Sequence, residues 1–482
     1  MPITDPSSHK SYRPLTVLSF RLNTMITGVV CDLPLACKVL RVLSCPASSC
    51  LCCCACVACV VLLNAHPILQ LTHFRIQDPH GFHAANVLLY GLCCAVACVT
   101  VFSAGDPAGR VTPGTAAAAL LFTAHPIHTE AVASVVGRAE VLSAIFGFLA
   151  VAAYRHSAAS SATAAATGKA SVGRPGLWLT VFVGLCCAGL LCKELVVAIP
   201  VISASADVCA LVAPYVGGDE TAPTEFSAGQ ARRRVAVAAA ISLGYLAVRL
   251  LAFEGGEVRG RFEDNPLRFI PRDQAALTAL YLQTHNARLL VWPLEQSADY
   301  SFSAIPHVND LSDPRLLFPT LPFYAGLLLA GLAGLYRGCK RADPAWVVAI
   351  SWVVFPVLPT AHIVTVGLVL AERTLFLPSV GVSLALKLVV NQLSKRGRFW
   401  LLLAAAATVG LTAGFGVLTV RRNPIWRNET TLWQSVHEVY PDNIKGIYGV
   451  ASTQNGKAAI PLFRKMLAIY PFHCYALFSL QR

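Results

Sequence analysis

The sequence predicts a mostly α-helical protein: a polytopic membrane helical bundle followed by a partial helical repeat. Of its 482 residues, 55% are hydrophobic and 13% are charged, whereas soluble domains carry about 25% charged residues. The mean hydropathy is +0.60, and apolar stretches of transmembrane length recur along the chain. After Val420 the composition becomes mixed, with tryptophan and tyrosine residues spread along it. These observations argue against a soluble enzyme with one large core.

The N-terminal part fits this bundle poorly. Residues 8–23, "SHKSYRPLTVLSFRLN", read as a polar-to-amphipathic segment, and residues 31–59 hold half of the 18 cysteines. The apolar run at 51–63 is short for a span. The cysteine-rich stretch lacks the separated Cys or His pairs that bind zinc. It also lacks the polar, loop-rich surroundings of a disulfide framework. We therefore predict that residues 25–72 are not a functional module, but either a lineage-specific insertion or an error in the gene model.

Ten spans are predicted after this insertion. Eight apolar stretches lie at about 84–103, 177–192, 195–216, 234–252, 316–336, 345–364, 374–390 and 400–420. Two shorter ones, 111–124 and 141–154, flank a charged motif and reach spanning length only if the helical ends of the motif continue into them. The stretch 275–293 is ambiguous.

The positive charge predicts an orientation. The net charge of +13 comes largely from clusters of Lys and Arg in short loops between spans. If the ten spans alternate in direction, all of these loops lie on one face of the membrane. The positive-inside rule makes that face cytoplasmic. This distribution argues against nucleic-acid binding. Arg421 and Arg422 are exceptions, because the same topology places them on the exoplasmic face. The clusters are "ARRR" at 231–234, "RGCKR" at 337–341, "SKRGR" at 394–398, and Arg155, Lys169 and Arg174 around the small-residue linker 157–176.

The motif "HPIHTEAVASVVGRAE" (125–140) falls on the opposite, exoplasmic face. Thr129 is expected to cap a helix that begins at Glu130, which would place Glu130, Ser134 and Arg138 on one helical face with Glu140 nearby. The charges could simply meet water at a hairpin. A metal site of His125, His128 and Glu130 is weakly supported, because the spacing is not H-E-x-x-H. A functional membrane-surface site is favoured, because ionisable residues beside spans are costly unless they are partnered.

Two further charged pairs, Lys193-Glu194 and Glu372-Arg373, are predicted on the same face. Each could be a local ion pair that anchors a helix end. Their joint occurrence favours a shared polar cavity for a charged ligand, for instance a phosphate held by Arg373 or Arg138.

The tail contains an internal repeat. "YPDNIKGIYGV" (440–450) aligns with "YPFHCYALFSL" (470–480) at an offset of 30 residues, close to the tetratricopeptide period of about 34. Such solenoids need about three repeats, so we expect this tail to be truncated. The chain's one N-x-[ST] sequon makes Asn428 a candidate glycosylation site.

Several of these segments together resemble the transmembrane and tetratricopeptide-repeat protein O-mannosyltransferase family. The resemblance covers about 8–24 and 75–482, including the central region "FEDNPLRF…LLVWPLEQSADYSFSAIP". It divides the chain into a remnant of a first lumenal loop (1–24), the insertion (25–72), a transmembrane glycosyltransferase-like domain (73–420) and a lumenal tail with a partial repeat (421–482). The ordered motifs are "SHKSYRPLTVLSFRLN", "HPIHTEAVASVVGRAE", "LCKE", "AERTLFLPSVG" and "RNPIWRNETTLWQSV".

The resemblance implies a multi-pass enzyme of the endoplasmic-reticulum membrane with the fold of transferases that use lipid-linked sugars. It would move mannose from dolichyl phosphate mannose to Ser or Thr of secretory-pathway proteins, chiefly cadherin-type domains, with no soluble cofactor and no indicated metal. A carboxylate would act as general base, and Glu130, Glu140 and Glu194 are supporting candidates. The expected substrate-binding residues are Arg13, His125, His128, Arg138, Lys193, Glu372 and Arg373.

One departure bears on activity. The family has a span and a catalytic acidic pair before "SYRPLT", whereas here only Asp5 precedes that segment, so the chain as written is expected to be incomplete or inactive. The alternative function is a non-enzymatic membrane scaffold whose lumenal repeats bind proteins. A transporter is disfavoured, because its charges should lie mid-span with repeat symmetry between halves.

Overall fold

The computed structural model of the protein describes residues 13–29, 79–106, 111–167, 175–216, 225–253, 262–302, 304–363, 366–454 and 456–481. Within these ranges the chain is helical and contains no β-strand, which confirms the predicted mostly α fold. The predictions on residues 1–12, on the cysteine-rich stretch from residue 30 to 72, and on residues 168–174 of the linker 157–176 concern residues outside the described ranges.

Eight helices form the first half of the described chain. They are α1 (Pro14–Val29), α2 (Pro79–Ala97), α3 (Pro113–Ala124), α4 (His128–Ala133), α5 (Arg138–Thr167), α6 (Pro175–Leu190), α7 (Ala198–Val212) and α8 (Glu225–Phe253). A π-helical turn, Cys98–Phe102, prolongs α2. Thr112 caps α3 by accepting a hydrogen bond from the backbone N–H of Thr115, so this helix starts where its capping residue predicts.

Nine helices form the second half. They are α9 (Arg272–Val291), α10 (Leu321–Lys340), α11 (Ala345–Val354), α12 (Pro378–Ser394), α13 (Arg398–Arg422), α14 (Glu429–Val439), α15 (Ile444–Thr453), α16 (Ile460–Ile469) and α17 (Cys474–Leu480). A π-helical turn, Leu316–Thr320, precedes α10. A short 3-10 turn, Glu372–Leu375, precedes α12 and carries the predicted Glu372-Arg373 pair.

Five helices of the described chain are long and apolar enough to cross a membrane, and three more are apolar but shorter. All eight coincide with predicted spans, and the two remaining predicted stretches, 234–252 and 374–390, fall largely on α8 and α12. The chain is therefore a multi-pass membrane protein. The five long helices are His80–Phe102, Val135–Thr163, Glu194–Val216, Leu316–Lys340 and Arg398–Arg427; the shorter ones are Pro113–Ala124, Pro175–Leu190 and Ala345–Thr360.

The bundle has two polar ends, and contacts between distant segments define each of them. At one end, Asp106 forms an ion pair with Lys387 (2.7 Å), and the side chain of Asn391 accepts a hydrogen bond from the backbone N–H of Gly114 (3.0 Å). At the other end, Glu130 meets Arg373 and Glu140 meets Lys193, both at 2.6 Å. The structure thus brings the predicted clusters at 125–140, 193–194 and 372–373 together at one end, which confirms that they converge.

The tail helices pack on one another and on the segment 262–302. Ile447, Phe463 and Met466 lie in a small apolar core of their own. Lys445 forms ion pairs with Asp264 and Asp299, and the ring centroids of Phe262 and Tyr470 lie 5.7 Å apart. This arrangement is consistent with a tetratricopeptide repeat, and the assignment to that repeat class stays a prediction.

Candidate functional site

The charged motif folds as two helices with a break between them, and not as the single helix that we predicted. The first helix, α4, begins at His128 after Ile127, so Thr129 lies inside it and the prediction of a Thr129 cap is wrong. It ends at Ser134, where the backbone is extended, and α5 begins at Arg138. The break needs Gly137, because a Cβ there would lie 2.3 Å from the carbonyl oxygen of Ala131. Glu130, Ser134 and Arg138 therefore do not share a helical face.

Glu130 and Arg373 form the centre of the candidate site. Oε1 of Glu130 accepts from Nη1 of Arg373 at 2.6 Å, and Oε2 accepts from the backbone N–H of Arg373 at 2.9 Å. The side chain of Glu130 is 2% exposed, whereas that of Arg373 is 34% exposed. Burial alone would lower the pKa of Arg373, but the carboxylates of Glu130 and Glu140 outweigh it and raise the pKa. Glu130 thus holds a permanently charged guanidinium at the edge of the site.

Two further ion pairs lie at the same end of the bundle as the Glu130–Arg373 pair, and we call the three pairs together the charged row. Lys193 lies 2.6 Å from Glu140, and both side chains are largely buried. Arg13, just before α1, donates to Glu194 at 3.0 Å. The carboxylate of Glu194 is 29% exposed, which makes it the most open of the three predicted carboxylates.

Arg138 is enclosed by the protein. Its Nε donates to Asn86 at 2.6 Å, while Nη2 donates to the side chain of Asn23 and the carbonyl of Phe82, both at 3.0 Å. The ring of Phe20 covers the guanidinium with its centroid 4.7 Å away. These contacts leave Arg373 as the better placed of the two arginines that we predicted for a phosphate.

The two histidines lie behind this row in an apolar setting. His125 shares a hydrogen bond with the carbonyl of Leu290 (2.9 Å), and burial lowers its pKa to about 4. His128 bridges Tyr90 (2.7 Å) and Ser379 (2.9 Å), and burial lowers its pKa well below 6.5. Both rings are therefore neutral at physiological pH. Within the described ranges, no group of three or more His, Cys, Asp or Glu side chains could hold a metal ion.

Glu372 is fully buried behind Arg373. It accepts hydrogen bonds from Gln296 (3.0 Å), the backbone N–H of Ser297 (2.9 Å) and Tyr300 (2.7 Å), and forms an ion pair with Arg422 (2.7 Å). Burial raises the pKa of Glu372 to about 7, with the charge of Glu130 adding to it and that of Arg422 opposing it. These contacts fix Glu372 within the 3-10 turn that also carries Arg373, so we infer that Glu372 positions the adjacent Arg373.

Sequence reasoning missed the partners that hold the predicted residues in place. Tyr90, Asn86 and Arg422 contact His128, Arg138 and Glu372 across long stretches of sequence. Asn86 and Tyr90 lie at i, i+4 in helix α2, which is apolar after them, and this pairing of polar groups on one helical face was the available signal.

Comparison with known proteins shows what the chain is similar to. A family model described as "Protein O-mannosyl-transferase TMTC, DUF1736" matches residues 261–328, the segment with α9 and with three hydrogen-bond donors to Glu372, namely Gln296, Ser297 and Tyr300. Curated relatives of similar name match almost the whole chain at 27% identity. The resemblance to the TMTC protein O-mannosyl-transferases is confirmed. No solved structure matches the chain.

The similarity to TMTC proteins extends over several animal relatives. The chain is 27% identical to mouse (Mus musculus) Protein O-mannosyl-transferase TMTC4, with 96% of the chain and 58% of the relative covered. It is 27% identical to Drosophila melanogaster Tmtc3 (92% and 46%) and 27% identical to human (Homo sapiens) TMTC1 (99% and 50%). The chain thus spans about half the length of the curated relatives it matches.

Proposed function

We propose that this chain is the membrane part of a protein O-mannosyltransferase. It would move mannose from dolichyl phosphate mannose to Ser or Thr hydroxyls of secretory-pathway proteins, with cadherin-type domains as the expected acceptors. Its place would be the endoplasmic-reticulum membrane, with the charged site and the tail in the lumen. The support is the similarity to proteins of that name together with a charged site at one end of a membrane bundle.

The observation that carries the proposal is that Arg373 is fixed by Glu130 while part of its side chain stays exposed. A lipid-linked sugar presents a phosphate at the membrane surface while its chain stays in the bilayer. A planar guanidinium is the side chain best suited to phosphate oxygens, and Glu130 fixes the guanidinium of Arg373 on one side. The N–H groups of the Arg373 guanidinium that do not contact Glu130 would bind the donor phosphate. They would also stabilise the negative charge that develops on the phosphate as its bond to mannose breaks.

A general base must reach the acceptor hydroxyl. Glu130 and Glu140 are buried and occupied by Arg373 and Lys193, so in this proposal they hold those cations in place. Glu194 is the most open of the three candidates. We assign it the role of accepting the hydroxyl proton in the described part of the chain, with Arg13 orienting it.

A transfer assay tests this proposal. The full chain in microsomes would receive radiolabelled dolichyl phosphate mannose and a cadherin-type domain. Wild type and Arg421→Ala, which changes an exposed arginine at the end of α13, should label the acceptor, and Glu194→Gln should lose at least tenfold in rate, as expected for a lost acid–base residue. Equal labelling by Glu194→Gln and wild type would remove Glu194 from the mechanism. No labelling by wild type, in a preparation that folds, would contradict transfer by this chain and would fit either the scaffold alternative or the incomplete chain that the sequence predicts.

A further inference from the structure

Helix α9 (Arg272–Val291) connects two points of the same polar layer. At its start, Ile270 and Ala275 pack against the buried cluster that contains Leu370 and Leu375, on either side of Glu372. In the segment ahead of the helix, Nδ2 of Asn265 donates to the carbonyl of Val366 at 2.8 Å. At its far end, the carbonyl of Leu290 bonds to His125 at 2.9 Å, in the motif that carries Glu130. Both ends of α9 are therefore tied to the loops that form the charged end of the bundle.

This anchoring determines how the helix runs. A helix of its 20 residues is about 30 Å long, which is roughly the thickness of the hydrocarbon core. If α9 crossed the bilayer, its ends would lie on opposite faces. Both ends of α9 lie at one face instead. In the middle of the helix, the side chain of Thr278 accepts from the backbone N–H of Val308 at 2.9 Å. We therefore infer that α9 lies parallel to the membrane plane.

One side of α9 is apolar and is left exposed by the described part of the chain. Leu280 and Val291 are exposed and three helical turns apart on one face, and Trp292 follows with 60% of its surface exposed. The opposite side of the helix packs through Leu282, Leu289 and Leu290 into a buried cluster. An exposed tryptophan beside exposed aliphatic side chains is typical of a membrane–water interface.

The exposed side of α9 continues into a surface that faces lipid. The hydroxyl of Tyr324, in the first turn of α10, donates to the carbonyl of Leu280 at 3.5 Å. The span that contains α10 is only 11% buried over its most apolar window, so most of it must face lipid. At its start, Phe318 and Leu321 are also exposed. Leu280, Val291, Trp292, Leu294, Phe318 and Leu321 form what we call the α9 surface.

We propose that α9 is an interfacial helix and that the α9 surface contacts the phospholipids of the adjacent bilayer leaflet. Buried apolar side chains would then hold α9, and through Leu290 the His125 loop, at a fixed depth beside the charged site. This contact does not require that the chain transfers mannose. Its test is a measurement of lipid proximity and not of activity.

Photocrosslinking in phosphatidylcholine proteoliposomes tests the contact on the full chain. Benzoylphenylalanine would replace Trp292 or Leu280, with Phe318 as a lipid-facing reference. Phe472 is the matched control, because it is an aromatic residue of the tail with 79% of its surface exposed and is not part of the α9 surface. We expect peptides carrying residue 292, 280 or 318 to gain the mass of one phosphatidylcholine, and peptides carrying residue 472 to gain none.

Two outcomes would overturn the proposal. One is lipid adducts at position 318 without any at 280 and 292; the other is crosslinks from 292 to protein alone. A second measurement covers the case in which a crosslinker disturbs folding. Phosphatidylcholine brominated on its acyl chains should quench less fluorescence in Trp292→Phe than in wild type, and equal quenching in the two proteins would place Trp292 away from the bilayer.

Discussion

At the scale of single residues, two arginines with the same predicted role differ in what surrounds them. Arg138 donates to several oxygens and is covered by an aromatic ring. Arg373 binds one carboxylate and keeps part of its surface open. A phosphate could reach Arg138 only by displacing the groups that surround it, whereas Arg373 keeps part of its guanidinium open, so Arg373 is the better placed of the two for a phosphate.

The first prediction separates binding from folding at Arg373. Arg373→Ala should weaken binding of dolichyl phosphate mannose by at least about tenfold, because a hydrogen bond to a charged group contributes about 1.5–3 kcal/mol. Glu130→Gln is the matched control: it breaks the same ion pair but leaves the guanidinium, so donor binding should persist. Binding would be measured per amount of folded protein with a labelled donor. Equal losses in both variants would mean that the ion pair is structural only.

The second prediction concerns Glu372 and its counter-charge. Because burial raises the pKa of Glu372 to about 7 from the ordinary carboxyl value, the folded protein retains a proton that the unfolded chain releases. The stabilisation from this group is full below about pH 4.5 and is lost as the pH rises through 7. Arg422→Ala removes the cation beside the carboxylate and makes its ionisation costlier still.

Arg422→Ala should therefore lower the free energy of unfolding more at alkaline pH than at acidic pH. We expect a loss of about 3–5 kcal/mol at pH 8, the usual effect of breaking a buried pair, and a clearly smaller loss at pH 5.5, where Glu372 is protonated. Thermal unfolding of the detergent-solubilised protein at the two pH values would measure it, with Arg421→Ala as the exposed control. A loss independent of pH would show that Glu372 does not titrate in this range.

At the scale of elements, the sequence predicted which segments are helical and which loops share an end. Both follow from apolar length and charge placement, which are local properties. It did not predict the break at Ser134–Gly137, because that break depends on how closely Gly137 approaches Ala131. It also misjudged Arg422, since a charge count assumes solvated side chains, whereas Arg422 is buried against Glu372.

Close helix packing gives the third prediction. A Cβ on Gly381 in α12 would lie 2.5 Å from the carbonyl oxygen of Ala349 and 2.7 Å from the backbone nitrogen of Val353, both in or next to α11. Backbone atoms cannot rotate away, so Gly381→Ala must push the two helices apart, at a cost of about 1–3 kcal/mol. Gly410 in α13 has open space around it.

Gly410→Ala is therefore the control, and it should leave stability unchanged or raise it by up to about 1 kcal/mol, because alanine favours helix. Thermal midpoints of the two variants in the same detergent would be compared. Similar midpoints for both would contradict the tight packing of α11 against α12.

At the scale of the whole molecule, the tail is attached to the site by charge and stacking. Asn443 donates to Asp299 at 3.1 Å, Lys445 contacts Asp264 and Asp299, and His473 lies 3.3 Å from Glu263. Asp299 is one residue from Tyr300, which donates to Glu372. The tail and the charged site thus share the segment 262–302, and both must lie on the same side of the membrane.

Sidedness is the last prediction, and the chain offers single substitutions that report it. Asn428 is exposed and caps α14, but it follows α13 so closely that failure to glycosylate it would be uninformative. Lys457→Thr converts the native Asn455-Gly456-Lys457 into a sequon farther from the last span. Lys169→Asn makes a sequon with Ser171 in the sequence between α5 and α6, which the alternation of the predicted spans assigns to the opposite face of the membrane.

If the charged end faces the lumen, Lys457→Thr should gain one glycan in microsomes and Lys169→Asn should gain none, because the modifying enzyme acts only in the lumen. The gain would appear as an enzyme-sensitive shift in gel mobility. It would place the tail beside Arg373 on the side where secretory acceptors are found. A glycan at residue 169 with none at 455 would invert the orientation, and a donor phosphate would then have to reach Arg373 from the cytoplasm, which the proposed transfer to secretory-pathway proteins does not allow.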